Sequence, residues 1–148
     1  MAHGAPSPDV FQKRFILTGD DGGGVEEAQG ALLEAIRQRH YDPGSCFAIR
    51  IALEEALTNA FRHGNRNDPD KTVTLDCRVN GERVVIDIED EGEGFDPDAV
   101  PDPTEEENLE IPSGRGIVLM RSFMSEVVFE PPGNRVRMTY RRPDPASR

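Results

Sequence analysis

The sequence predicts an α+β domain built around a mainly antiparallel sheet. Two pairs of alternating apolar runs, over 73–88 and 124–142, predict hairpins. Two segments with apolar residues three or four positions apart, 25–39 and 43–64, predict amphipathic helices. The chain of 148 residues has the size of one domain, so these elements should share one hydrophobic core.

The composition is that of an acidic globular protein. There are 17 Lys and Arg residues against 28 Asp and Glu residues, a net charge of −11. Such a surface repels phosphates, so we expect no direct contact with nucleic acid. No run approaches the roughly 20 apolar residues of a membrane span, and no signal peptide is recognisable at the start. We therefore expect a cytoplasmic protein that does not contact a membrane.

The first part of the chain predicts a strand and a helix. Residues 1–10 are small and Pro-containing, which predicts a flexible tail, and 143–148 predict a second tail. The domain itself should span 11–142. Residues 11–18 have the content of a strand. The Gly-rich run at 19–24 lacks the Lys-Ser/Thr of a P-loop, so it predicts a turn before the helix at 25–39.

The second helix has recognisable ends. Asp42 is a suitable cap, Pro43 suits the first turn, and Gly64 with the polar run after it suits the end. Its buried stripe consists of Ile49, Leu53, Ala56, Leu57 and Ala60.

A polar strip lies beside that stripe. Glu55, Asn59 and His63 follow one another at i, i+4 and i+8, so they share one side of the helix. A carboxylate can take a proton from a hydroxyl or water, and a carboxamide oxygen can coordinate a hard cation such as Mg²⁺. A solvated polar strip without chemistry is the alternative, and it is common on amphipathic helices.

The clearest local signal is a hairpin. Alternating apolar residues at 73–79 and 84–88 flank Asn80-Gly81, the strongest short hairpin signal. Cys77 lies in this alternation, which predicts a buried structural thiol. With Cys46 it forms neither a metal-binding spacing nor a disulfide framework.

The loop after this hairpin is a candidate binding loop. It reads Asp-Glu-Gly-Glu-Gly-Phe-Asp over 90–96. Gly92 and Gly94 would let the backbone approach a ligand closely, and Asp90 should face the pocket that the loop borders. A plain acidic turn is the alternative.

A long aperiodic segment follows. Residues 97–113 contain four prolines and no Lys or Arg, which predicts a mobile lid or disorder. Gly114, Arg115 and Gly116 then open an apolar helical run. Free N–H groups at such a helix start can hold phosphate, to which Arg115 would add positive charge. A glycine hinge before a core helix is the alternative.

The last pair of strands closes the sheet. Residues 124–130 and 135–142 predict a hairpin, and in the second run apolar residues alternate with a face that carries several arginines. We interpret these arginines as a solvated sheet face; a docking surface for an acidic partner is the less frequent alternative.

The order and spacing of these motifs resemble the GHKL family of ATPases. The shared features are Glu-x-x-x-Asn-x-x-x-His on a helix, a strand ending in Asp-x-Gly-x-Gly, and Gly-Arg-Gly opening a helix, together spanning about 11–140. The resemblance implies the Bergerat ATP-binding fold, a two-layer α/β sandwich with a mixed, mainly antiparallel sheet and helices on one face. The segment Glu-Glu-Ala-Leu-Thr-Asn-Ala-Phe-Arg-His, residues 54–63, is most similar to the sequences of the bacterial anti-sigma-factor serine/threonine kinases.

Carried over by position, the resemblance implies roles for individual residues. Asn59 would coordinate Mg²⁺ on the ATP phosphates, Glu55 would be the general base, and Asp90 would accept a hydrogen bond from the adenine amino group. The other implied contacts with ATP are Gly92 and Gly94 beside the base, Gly114, Arg115 and Gly116 at the phosphates, and Arg62 and His63 near the phosphates. The sequence departs from the family at Asn134, since Gly-Thr is frequent where it has Gly133-Asn134.

The function that the resemblance implies is an ATP-binding anti-sigma factor and serine/threonine kinase. It would bind a sigma factor, phosphorylate a small antagonist protein and form a homodimer. A partner-switching module that binds nucleotide without kinase activity is one alternative. A detached ATPase domain of a histidine kinase is another, disfavoured because the residues before the first strand are too few for a helix with the acceptor histidine.

Overall fold

The computed structural model describes residues 10–19, 23–96 and 114–143. The predicted lid at 97–113, and the predicted tails apart from Val10 and Pro143, lie outside these residues. The elements in order are β1 (Phe11–Leu17), α1 (Val25–Gln38), α2 (Pro43–Thr58), a π-helical segment (Asn59–Gly64), β2 (Val73–Val79), β3 (Arg83–Glu89), α3 (Gly114–Phe123), β4 (Glu126–Glu130) and β5 (Arg135–Arg141).

The five strands form one sheet in the order β1-β2-β3-β5-β4, and all four pairings are antiparallel. Cys77, Ile86 and Met138 are aligned across three neighbouring strands, so their side chains share one face. The predicted mainly antiparallel sheet is therefore confirmed, and the described strands contain no parallel pair.

The core lies between this apolar face and the helices. Leu32, Ile49 and Leu53 from α1 and α2 are fully buried against strand residues such as Leu75 and Ile86. Each such side chain contributes about 1.5–3 kcal/mol when removed from water. The predicted α+β architecture, with helices packed on one face of the sheet, is confirmed. Within the ranges described above, no helix has both the length and the apolar character needed to cross a membrane.

The other face of the sheet is polar and carries a row of four charges. In register across β1, β2, β3 and β5 lie Arg14, Asp76, Asp87 and Arg137. Asp76 and Asp87 are directly opposite on neighbouring strands, and two like charges in such a pair repel each other. Arg14 bonds Asp76 at 2.9 Å and Arg137 bonds Asp87 at 2.8 Å, so both carboxylates have a cation beside them. The arginines of β5 thus stabilise the sheet face on which we expected them.

The helical run that begins with α2 has the predicted ends, but its last turns change type. Asp42 Oδ1 accepts a hydrogen bond of 2.7 Å from the Ser45 N–H, and Pro43 is in the first turn. The α-helix ends at Thr58, and the chain continues to Gly64, the predicted end, as a π-helical segment. The wider turns of a π-helix change the direction of the side chains that follow Asn59, and such segments are frequent at functional sites.

Both cysteines are free thiols. Cys77 is buried, and this burial raises the pKa of its thiol to about 12. A thiol with so high a pKa stays protonated and unreactive at neutral pH. The predicted structural role of Cys77 is confirmed.

Candidate functional site

A cavity of about 270 Å³ lies where the π-helical segment, the loop after β3 and the β4–β5 turn meet. Five of the predicted site residues line it: Asn59, His63, Asp90, Gly92 and Gly94. These residues come from two segments that are distant in the sequence. The fold therefore brings together one end of the helical strip and the candidate binding loop.

Asp90 is a half-buried acceptor in this cavity. It follows β3 directly, and its Oδ1 accepts a hydrogen bond of 2.7 Å from the Gly92 N–H. The pKa of Asp90 is raised to about 6, mainly by burial and also by Glu89, while the Gly92 hydrogen bond and Lys71 act in the opposite direction. At neutral pH the group is an ionised acceptor in a partly desolvated place, where it can recognise an amino group.

Glycines allow the walls of the cavity to meet. A Cβ atom on Gly64 would collide with the Asp90 carboxylate, and one on Gly92 would collide with the Gly64 carbonyl oxygen. The end of the helical segment therefore lies directly against the binding loop. The predicted close approach at Gly92 is to the chain's own backbone.

A second pair of glycines joins the binding loop to the β4–β5 turn. Gly94 has φ 86° and Gly133 has φ 106°, a region that side chains rarely adopt. A Cβ atom on Gly94 would meet the Pro132 carbonyl oxygen, and one on Gly133 would meet the Phe95 backbone. The loop and the turn thus form one continuous wall.

Asn59 contributes a buried donor atom, Nδ2, to the cavity. Its Nδ2 is buried and has no hydrogen-bond partner among the residues that the structure describes. A buried amide without a partner is costly, so this group suits a ligand that satisfies it. Glu55, one turn earlier on α2, is half-buried but does not line the cavity formed by the described residues.

The donor set fits a metal ion that arrives with phosphates. Among the described residues there is no group of three or more His, Cys, Asp or Glu side chains that could hold a metal. Mg²⁺ commonly takes only one or two protein ligands and completes its shell with phosphate oxygens and water. The Asn59 carboxamide oxygen matches that demand.

The remaining predicted site residues lie outside the cavity lining. Arg62 is exposed on the π-helical segment. Gly114, Arg115 and Gly116 open α3 as predicted, but within the described chain α3 reaches the cavity only through Met120. Their contact with a phosphate stays a prediction.

Several lining residues had no clear signal in the sequence. The rings of Phe95 and Phe129 meet edge to face, with centroids 5.1 Å apart, and form an apolar wall. Arg135 lines the cavity although its alternation with apolar residues predicted only a solvated face. Asn65 lies behind the lining: it is 1% exposed, and its Oδ1 accepts a hydrogen bond from the N–H of the lining residue Glu91. A half-buried acceptor, Asp90, beside an aromatic wall suits a flat ring that carries an amino group.

The chain is similar to anti-sigma F factors of several bacteria. It is 35% identical over 95 residues to that of Geobacillus stearothermophilus, which covers 62% of this chain and 64% of the relative. It is 36% identical over 95 residues to that of Geobacillus thermodenitrificans, with the same coverage. For the Clostridium botulinum protein the identity is 34% over 96 residues, covering 61% of this chain and 66% of the relative. The matched region thus spans somewhat less than two thirds of these relatives.

A family match covers a longer part of the chain. Residues 21–140 match the histidine kinase-like ATPase domain, a range that includes every residue lining the cavity. The antiparallel sheet with its helices agrees with this assignment, and an ATPase domain binds ATP. The chain therefore belongs to the family of histidine kinase-like ATPase domains.

Proposed function

We propose that the chain is an anti-sigma factor and an ATP-dependent serine/threonine kinase. It would bind a sigma factor and phosphorylate a small antagonist protein, with ATP in the cavity described above. The observation that carries the proposal is that the half-buried Asp90 carboxyl lines the same cavity as Asn59, whose buried Nδ2 has no hydrogen-bond partner among the described residues. The name of the similar proteins, anti-sigma F factor, supports the choice of a sigma factor as partner.

Each residue would have a simple task. Asp90 accepts a hydrogen bond from the adenine amino group, and Asn59 coordinates Mg²⁺ together with the phosphates. Bound Mg²⁺ supplies charge neutralisation for phosphoryl transfer. Glu55 accepts the proton of the attacking serine or threonine hydroxyl. The residues assigned to the phosphate end are Arg62, His63, Gly114, Arg115 and Gly116, where N–H groups at the start of α3 would act as donors.

A second candidate is a partner-switching module that binds ATP without transferring phosphate. The placement of Glu55 favours it, because this side chain does not line the cavity formed by the described residues. Under this alternative the nucleotide would only change which partner the protein holds.

Phosphotransfer distinguishes the two candidates. Wild type, Glu55→Ala, Asn59→Ala and Asp90→Asn would be incubated with radiolabelled Mg-ATP and a candidate antagonist protein that carries an acceptor serine or threonine. We expect label on the antagonist with wild type, and roughly 10²–10⁴-fold slower transfer with Glu55→Ala at unchanged ATP affinity. Asn59→Ala and Asp90→Asn should bind ATP weakly. Binding of ATP and antagonist by wild type without any transfer would favour the second candidate.

The assembly is also part of the proposal. By resemblance to the anti-sigma-factor kinases, we propose a cytoplasmic homodimer with no membrane or direct nucleic-acid contact. Light scattering coupled to gel filtration should give a mass near twice 16.4 kDa. A mass of one chain at micromolar concentration would contradict the dimer.

A further inference from the structure

The peptide unit between Asp90 and Glu91 is held from both sides by asparagine carboxamides. Asn65 Oδ1 accepts a hydrogen bond of 2.8 Å from the Glu91 N–H. Asn134 Nδ2 donates a hydrogen bond of 3.0 Å to the Asp90 carbonyl oxygen. Both bonded groups belong to the same planar peptide unit, so together they restrict its rotation. We call these two side chains the asparagine clamp.

The clamp joins three separate parts of the fold. Asn65 follows the π-helical segment directly, and its Nδ2 donates a hydrogen bond of 2.9 Å to the Thr72 carbonyl oxygen. Asn134 lies in the β4–β5 turn, and its own carbonyl oxygen accepts a hydrogen bond of 2.9 Å from the Asp90 N–H. Asn65 is buried, at 1% exposure, so its bonds are shielded from water. The clamp therefore connects the segment carrying Asn59, the binding loop and the last hairpin.

The orientation of this peptide determines the direction of the Asp90 side chain. The carboxyl group bonds the Gly92 N–H and lies against Gly64, where no Cβ atom would fit. The clamp restricts the peptide that follows Asp90, and these two contacts restrict its side chain. A carboxylate discriminates between ligands only when its acceptor atoms are held in a defined direction.

We propose that Asn65 and Asn134 are positioning residues that aim Asp90 at the amino group of a purine ring, and so set the preference for adenine. This inference rests on the proposed function, in which the cavity holds ATP. If the two asparagines served stability alone, their loss would weaken the binding of every purine nucleotide equally.

Inosine triphosphate separates these roles, because it has a carbonyl oxygen where adenine has the amino group. Dissociation constants for Mg-ATP and Mg-ITP would be measured by calorimetry for wild type, Asn65→Ala and Asn134→Ala. Asn80→Ala is a matched control in the β2–β3 hairpin, where Asn80 Oδ1 accepts bonds of 2.8 and 2.9 Å from the N–H groups of Glu82 and Arg83.

Wild type should prefer ATP over ITP. Either clamp variant should lower the affinity for ATP about tenfold, the worth of roughly one hydrogen bond, while the affinity for ITP stays the same or rises. The ratio of the two affinities would then approach one. Asn80→Ala should lower the melting temperature and leave the ratio at its wild-type value.

Two results would overturn the proposal while leaving the ATP site intact: an unchanged ratio in folded clamp variants, or an equal loss for ATP and ITP. Should Asn65→Ala fail to fold, the half-buried Asn134 decides through Asn134→Ala. A wild type that binds ATP and ITP equally would also exclude the proposed selectivity. A wild type that binds neither nucleotide would overturn both this inference and the proposed function.

Discussion

The charge state of the Asp90 carboxyl group affects both the stability of the fold and ligand recognition in the cavity. Its pKa rises from an ordinary 3.8 to about 6, mainly because burial disfavours the charged form. The folded state therefore binds this proton more tightly than the unfolded chain does. The resulting contribution to stability is full below pH 4 and is lost as the pH rises through about 6. Ligand recognition has the opposite dependence, because a hydrogen bond from an amino group requires the ionised form.

We therefore expect the preference for ATP over ITP to fall as the pH drops from 7.5 through about 6. Protonated Asp90 loses acceptor capacity for the adenine amino group and gains an O–H donor, which can bond the carbonyl oxygen of ITP. Calorimetric titrations at several pH values would measure the ratio of the affinities for ATP and ITP. Both nucleotides carry the same triphosphate, so protonation of the phosphates affects both affinities equally and cancels in the ratio. Asp90→Asn, which cannot ionise, should give a ratio independent of pH. A wild-type ratio that is constant between pH 5 and 7.5 would contradict the assignment.

Gly64 offers a steric test at the same scale. In Gly64→Ala the new Cβ atom would collide with the Asp90 carboxylate. We expect a loss of about 1–3 kcal/mol in the free energy of unfolding, as for other overpacked sites. ATP affinity should fall as well, since Asp90 must move.

Gly30→Ala is the control for this substitution. A Cβ atom on Gly30 meets nothing within 4 Å, and the residue lies inside α1. The change should stabilise the fold by roughly 0.5–1 kcal/mol and leave ATP affinity alone. Urea denaturation and calorimetry measure both quantities. If Gly64→Ala bound ATP with the same affinity as wild type, the predicted collision with Asp90 would have no effect on ATP binding.

At the scale of elements, the central helix carries both halves of the proposed chemistry. Glu55 lies on α2, and Asn59 opens the π-helical segment that continues it. The Asn59 N–H still bonds the Glu55 carbonyl oxygen, so these two residues keep the i, i+4 relation of an α-helix. Among the residues that the structure describes, Asn59 lines the cavity and Glu55 does not.

The cap of α2 should affect stability without affecting the cavity. Asp42→Ala removes the hydrogen bond to the Ser45 N–H and should cost about 1 kcal/mol of unfolding free energy. Asp42→Asn keeps an acceptor at the cap and should lose much less. The cap lies at the opposite end of α2 from Asn59, so ATP affinity should change less than about twofold. A tenfold change in affinity would correspond to about 1.4 kcal/mol of binding free energy. A large fall in affinity for Asp42→Ala would mean that the helix transmits the change to the site.

At the scale of the whole molecule, nucleotide binding should appear as global stabilisation. A ligand that binds only the folded state adds about 2.7 kcal/mol at a hundredfold excess over its dissociation constant. For a domain near this size that corresponds to a rise in melting temperature of roughly 5–10 °C. Thermal unfolding with and without Mg-ATP measures this rise.

Removal of the metal tests the role of Asn59 in the same experiment. Excess EDTA should reduce the stabilisation of wild type by ATP, because the phosphates lose the ion that Asn59 helps to hold. In Asn59→Ala the ATP-induced rise should be small and should change little with EDTA. Equal shifts of wild type with and without EDTA would exclude a part for Mg²⁺ in binding.

The elements and the family could be predicted from the sequence because their signals are local. Alternating apolar residues around Asn80-Gly81 determine the hairpin of β2 and β3, and the three-to-four spacing determines α1 and α2. The motifs at Asn59 and Asp90 appear in a recognisable order, which was enough to identify the family and to select five residues of the cavity.

Only the tertiary structure decided how those motifs meet. Gly64 against Asp90, Gly133 against Phe95, and Asn65 against Glu91 are contacts between segments far apart in the chain. Such contacts depend on the packing of helices on the sheet, on the register of its strands and on the π-helical end of the central helix. Hydrophobic periodicity assigns each residue to a face of its own element, but it contains no information about which residue of another element lies opposite.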